Sequence, residues 1–113
     1  MKDPLIYADH ILKSILQIEE YVLGCSKDDF SKDKMRYDAV LRNLQLMAES
    51  TQRLPQELKS TYPKVPWKDV SGFRNILVHD YLGNLDEDII WSIITRELVH
   101  IKRAVEEMLQ KSD

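Results

Sequence analysis

Apolar residues recur at three- and four-residue intervals along most of this chain, and that spacing predicts a series of amphipathic helices. The first stripe contains Leu5, Ile11, Leu12, Ile15, Leu16, Ile18, Val22 and Leu23. Asp3-Pro4 supplies its start, with Asp as N-cap and Pro at the first helical position, and Gly24 ends it. The polar run Ser26-Lys27-Asp28-Asp29 reads as a loop or short turn, with Ser31 as a cap for the second helix. That helix is expected from about Lys32 to Arg53, with Val40, Leu41, Leu44, Met47, Ala48 and Thr51 inward and Leu54-Pro55 as its break. Gln56 to Thr61 predicts a short helix. Tyr62-Pro63-Lys64-Val65-Pro66-Trp67 must then run extended, because residues before proline avoid the helical region. A third long segment runs from Lys68 to about Leu82 and is closed by Gly83-Asn84. Asp86-Glu87-Asp88 places negative charge at the start of a final helix, which buries Ile90, Ile93, Ile94, Leu98, Ile101, Val105 and Met108.

Four main helices with short links predict an all-α fold, an antiparallel four-helix up-down bundle with an additional short helix. No repeat, low-complexity stretch or boundary interrupts the 113 residues, so residues 1–113 are expected to form one domain. A hydrophobic content of 43% with 31% charged residues belongs to a globular protein rather than a disordered one. Only three glycines and four prolines are present, and the prolines lie outside the long periodic segments, as a helical fold requires. The single Cys25 cannot form an internal disulfide, which points to a reducing compartment. Asp9, His10, Lys13, Glu19 and Glu20 interrupt the first apolar segment, arguing against both a secretion signal and a membrane span. A cytoplasmic location without membrane contact is expected. The net charge of −3 argues against broad nonspecific nucleic-acid binding, so any RNA or DNA contact needs a local basic patch.

Few residues are candidates for chemistry. His10, His79 and His100 are far apart in sequence, with no Cys/His spacing that would hold a metal, and no glycine-rich phosphate loop exists. No metal or other cofactor is expected. The Asp86-Glu87-Asp88 cluster reads as a helix N-terminus, and His10 and His100 as surface or boundary positions. Trp67 is expected to plug the bundle end near the third helix, Trp91 and Tyr37 to pack in the core, and Tyr7 and Tyr21 to be partly exposed.

That leaves Arg74-Asn75-Ile76-Leu77-Val78-His79-Asp80-Tyr81. Arginine grips phosphate through two parallel hydrogen bonds, and histidine moves protons near neutral pH. Together they suggest phosphodiester chemistry. At about 100° per residue, Arg74 and Tyr81 share a stripe, Asn75 and His79 share another, and His79 lies roughly 140° from Arg74. A regular helix therefore does not bring Arg74 and His79 head to head. Either the helix is distorted, or the long Arg74 side chain wraps round, or two chains complete one site. The purely structural alternative is that Arg74 pairs with Asp69 or Asp80 while His79 closes the helix end.

The R-x4-H-x-Y spacing of Arg74, His79 and Tyr81 resembles that of the HEPN superfamily, and within it the HepT-like toxins of MNT–HEPN toxin–antitoxin modules. The run from Pro66-Trp67 through Gly72, Arg74 and Asn75 to Tyr81 is similar to the family's approach to its motif. Tyr37-Asp38-Ala39-Val40-Leu41-Arg42 and Met47-Ala48-Glu49-Ser50 are similar to its second helix, although the family often has glycine where Met47 stands.

The resemblance implies a HEPN-like bundle that dimerises through the motif helix, and a metal-independent endoribonuclease working at a cleft shared by two chains. In that reading Arg74 and His79 are catalytic, His79 as general acid or base and Arg74 as the phosphate-binding cation. Asn75 orients His79 or contacts phosphate. The implied partner is a small MNT-type nucleotidyltransferase antitoxin that transfers AMP onto Tyr81, adding negative charge beside Arg74 and His79. Lys64 and Lys68, ahead of the motif, are candidates for guiding RNA. The alternative is a non-catalytic HEPN module that binds a nucleotidyltransferase or a nucleotide.

Overall fold

The computed structural model describes residues 3–80 and 87–111, with side chains described as far as Phe73 and again from Glu87. The elements are α1 (Leu5–Val22), α2 (Lys27–Lys32), α3 (Lys34–Arg53), α4 (Gln56–Ser60), α5 (Trp67–Asp80), α6 (Glu87–Ser92), a π-helical turn (Ile93–Glu97) and α7 (Leu98–Gln110). Gly83-Asn84 and Asp86, expected to punctuate the last two long helices, lie outside the described residues.

The apolar stripes explain which helices touch. α3 packs on both α1 and α5, and α7 packs on α1. Neighbours run in opposite directions. Lys102, early in α7, pairs with Glu19, late in α1, at 3.0 Å. Gln52, late in α3, donates a hydrogen bond to the carbonyl of Ser71, early in α5, at 3.2 Å. The up-down bundle expected from the sequence is therefore present.

Ala8, Ile11, Ile15 and Ile18 of α1 are fully buried, as are Val40 and Met47 of α3 and Val105 of α7. Helical phase corrects two members of the first stripe. Leu16 lies about 140° from Ile11 around α1, and it is 45% exposed while Ser14 is buried in its place. Leu23 follows the last turn on extended backbone and is 83% exposed. The Asp3 carboxylate accepts a hydrogen bond from the Leu5 amide at 2.9 Å, so it acts as the cap the sequence suggested. Gly24 adopts φ +75°, the left-handed region that a residue without Cβ occupies at little cost.

The polar run after α1 is a helix rather than a loop. Ser26 accepts from the Asp29 amide while Asp29 accepts from the Ser26 amide, both at 3.1 Å, a reciprocal capping box that starts α2. These bonds hold the Asp29 carboxyl below the ordinary range. Because the shift is downward, its stabilising contribution is present at neutral pH and lost on acidification through that lowered value. Ser31 lies inside α2, and the cap of α3 is Asp33, whose carboxylate accepts from the Arg36 amide at 3.1 Å.

The purpose of α2 in the fold is Phe30, which is fully buried. Its ring stacks at a tilt on Tyr37 of α3, at 5.2 Å between centroids, and on Trp91 of α6, at 5.5 Å. Lys27 pairs with Asp88 across the same junction. Tyr37 and Trp91 are thus packed against the core as expected, and burial raises the Tyr37 hydroxyl above its usual range. The last long helix is not uniform. At Ile93–Glu97 the Leu98 amide bonds to the Ile93 carbonyl, one residue beyond α-helical spacing. Ile90, Ile93, Ile94, Leu98, Ile101, Val105 and Met108 are all buried, as the pattern predicted. Among the described residues, no helix is long and apolar enough to cross a membrane.

Candidate active site

The connection ahead of α5 is a turn rather than the extended run the sequence predicted. The Val65 amide donates to the Tyr62 carbonyl at 3.1 Å, with Pro63 at the turn position its fixed φ favours, and this turn fixes the start of α5. The Trp67 indole N–H lies within hydrogen-bond distance of two carbonyls, those of Lys59 at 3.0 Å and Tyr62 at 3.1 Å. The Lys59 ammonium in turn donates to the Thr51 carbonyl at the end of α3, at 3.0 Å. Trp67 therefore plugs the bundle end as predicted, and also ties α3, α4 and α5 together. One turn on, Val70 is 1% exposed and defines the side of α5 that faces the bundle.

From Val70 the helix sets the register of the candidate site. α5 is α-helical throughout Trp67–Asp80, so no break relieves the separation between Arg74 and His79. By helical rotation the Arg74 position lies roughly 40° from Val70, on the flank of the packed side, whereas the His79 position lies about 180° away. Asn75 falls within about 40° of His79. The helix thus carries Arg74, Asn75 and His79 in its second half without bringing Arg74 and His79 onto one face. Their side chains, and Tyr81 as a whole, lie outside the described residues.

Gly72 also belongs to this stretch. It lies roughly 200° from Val70, on the same outward stripe as His79. A Cβ added there would meet no described atom within 4 Å, so packing inside the chain does not require glycine. A mid-helix glycine costs about 1 kcal/mol relative to alanine. The sequence offered Gly72 only as part of a motif; its meaning appears once Val70 fixes the inward side.

Among the described residues, no group of three or more His, Cys, Asp or Glu side chains is placed to hold a metal ion. His10 and His100 are exposed, as are Lys64 and Lys68.

Known proteins share this helical chain almost end to end. The family model described as ribonuclease HepT-like matches residues 11–108. The chain belongs to the ribonuclease HepT-like family. It is 39% identical over 111 residues to the candidate RNase TTE0752 of Caldanaerobacter subterraneus subsp. tengcongensis, with 98% of each chain covered. It is 34% identical over 112 residues to a Methanocaldococcus jannaschii protein named as a gamma-glutamylcyclotransferase and candidate RNase, covering 99% of this chain and 50% of that one. The "Probable ribonuclease HepT" of Thermococcus cleftensis is 28% identical over 102 residues, covering 90% of this chain and 92% of its own length. No solved structure matches. The HepT-like relationship extends from α1 to near the end of α7, well beyond the motif helix.

Proposed function

We propose that this HepT-like chain is a metal-independent endoribonuclease and the toxin of a toxin–antitoxin pair. The observation that carries the reading is the Arg-x4-His-x-Tyr motif of the sequence, whose Arg74 and His79 positions lie on α5 of a HepT-like bundle. RNA contains its own nucleophile, so the protein needs no attacking side chain. A base takes the proton of the 2'-hydroxyl, the O2'–P bond forms and the P–O5' bond breaks. The departing 5'-oxygen receives a proton, leaving a 2',3'-cyclic phosphate and a 5'-hydroxyl. His79 is the proton-transfer group. Arg74 binds the phosphate and offsets the charge that grows on its oxygens. Asn75 orients His79 or contacts the phosphate.

Arg74 of one chain works with His79 of a second in this reading. A homodimer joined through α5 satisfies the roughly 140° separation without distorting the helix. Gly72, on the outward stripe, lets a second backbone approach closely. The antitoxin is a nucleotidyltransferase of MNT type. The Tyr81 phenol oxygen attacks the α-phosphate of ATP, pyrophosphate leaves, and the attached AMP brings negative charge to the cleft and repels RNA.

Mixed dimers test the shared site. Arg74→Ala and His79→Ala homodimers are each expected to be inactive on RNA. Refolding the two together gives heterodimers with one intact Arg74–His79 pair, and cleavage is expected to reappear at up to about half the native activity per heterodimer. Mixtures as inactive as either variant alone would place both groups of each site in one chain.

A further inference from the structure

Between the connection that precedes α5 and the face of α7 lies a groove of about 420 Å³. That volume falls within the roughly 300–1,000 Å³ typical of small-ligand sites. Its buried floor is Val65 and Ala104. Its walls carry Tyr62, Lys64, His100, Arg103, Glu107 and Lys111. Three fixed cations face one carboxylate, a local charge of +2 with His100 neutral, in a chain whose net charge is −3. Glu107 is already engaged by Lys111 at 2.8 Å, and that contact raises the lysine above its usual range and keeps it cationic. The Lys111 ammonium also lies 5.8 Å from the centre of the Tyr62 ring. Among the described residues, the side chains of Lys64, His100 and Arg103 make no hydrogen bond or ion pair.

The surroundings show that this concentration of cations is local. The neighbouring cavity on the far side of Tyr62 shares Lys111 but adds Asp3 and Glu57, and neither Lys64 nor Arg103 lines it. The groove is also held in shape, because Pro63 and Pro66 restrict the connection and the Trp67 indole N–H anchors it to the Lys59 and Tyr62 carbonyls. It adjoins the first turn of α5. Arg74 and His79 stand roughly 10 and 18 Å further along that helix, at 1.5 Å per residue. A single strand crosses such a distance in a few nucleotides.

We propose that this groove binds a backbone phosphate of single-stranded RNA upstream or downstream of the bond cut on α5, with Lys64 and Arg103 as its free cations and Tyr62 as its aromatic wall. Basic grooves with an aromatic face are the general means of holding single strands. The proposal rests on the ribonuclease reading and supplies the local basic patch that an acidic chain needs to hold RNA. It retains Lys64 from the two lysines ahead of the motif and leaves out Lys68, which does not line the groove.

The test is binding of a 2'-O-methylated single-stranded RNA, which has no free 2'-hydroxyl and cannot be cleaved. Native protein is compared with Lys64→Gln/Arg103→Gln and with a control of equal charge change, Lys13→Gln/Lys34→Gln, on exposed positions away from the groove. Losing one phosphate contact lowers the slope of log K against log salt by about 0.7, so the groove pair should lose about 0.7 in slope and roughly fivefold in affinity at 0.1 M salt. The control should lose much less, and all three proteins should melt alike. Equal losses in the two variants, or no loss in either, would overturn the groove while leaving the ribonuclease reading standing. Inorganic phosphate bound by Lys64 and Arg103 without any effect on RNA affinity would make it a small-anion site and overturn the RNA assignment. Native protein that binds no RNA would overturn both readings together.

Discussion

His79→Ala is expected to slow RNA cleavage by about 10²- to 10⁴-fold, the usual contribution of a positioned proton-transfer group. RNA affinity and melting temperature should change little, because the His79 position lies opposite the packed side of α5 defined by Val70. Arg74→Ala should cost about 10²- to 10³-fold through lost charge stabilisation, and it should also weaken binding, since the guanidinium holds the phosphate in the ground state as well. Arg74→Lys should restore affinity better than rate, because an ammonium is a point charge without the planar fork. Single-turnover kinetics at saturating RNA separates these effects. A His79→Ala protein that cleaves at the native rate would remove His79 from the mechanism.

The second large effect concerns the fold. Phe30→Ala should destabilise the protein by about 3–5 kcal/mol, the range for truncating a buried aromatic. Phe30 is fully buried between Tyr37 and Trp91, and it alone joins α2 to both α3 and α6 by ring contacts among the described residues. Against a total stability of about 5–15 kcal/mol, such a loss is severe. For a chain of this size it corresponds to a fall of roughly 10–20 °C in melting temperature. Phe30→Leu should recover most of it by refilling the volume. Thermal unfolding followed by circular dichroism reads both, and a shift of only about 2 °C for Phe30→Ala would show that this junction contributes little.

The contrast between these two residues shows what the sequence made legible. The stripes of α1, α3 and α7 were readable because each helix buries one face, and burial repeats at helical spacing. Phe30 was not, because Lys27–Lys32 contains one apolar residue among six and so has no period to detect. Its capping box was the available signal, with Ser26 and Asp29 three residues apart. The π-helical turn was hidden for a different reason. Ile93, Ile94 and Leu98 keep a spacing that an α-helix and a single wide turn both accommodate. Leu16 looked like core by residue type and proved exposed by phase.

The candidate site divides in the same way. Arg74, His79 and Tyr81 were found through a family pattern, since spacing alone sets Arg74 and His79 on different faces. Gly72 gained meaning only from the open space beside it. The basic groove joins residues about forty positions apart, Lys64 with Arg103 and Lys111, and only tertiary packing brings them together.

The acidic net charge favours a non-catalytic module that binds a nucleotidyltransferase or nucleotide, whereas the intact motif and the basic groove favour the enzyme. The decisive measurement is cleavage of RNA by purified protein in EDTA, with analysis of the product ends. A metal-independent ribonuclease using His79 and Arg74 predicts 2',3'-cyclic phosphate and 5'-hydroxyl ends, lost in both His79→Ala and Arg74→Ala. Folded native protein that leaves several classes of RNA intact, or cleavage that persists in both variants, would contradict it.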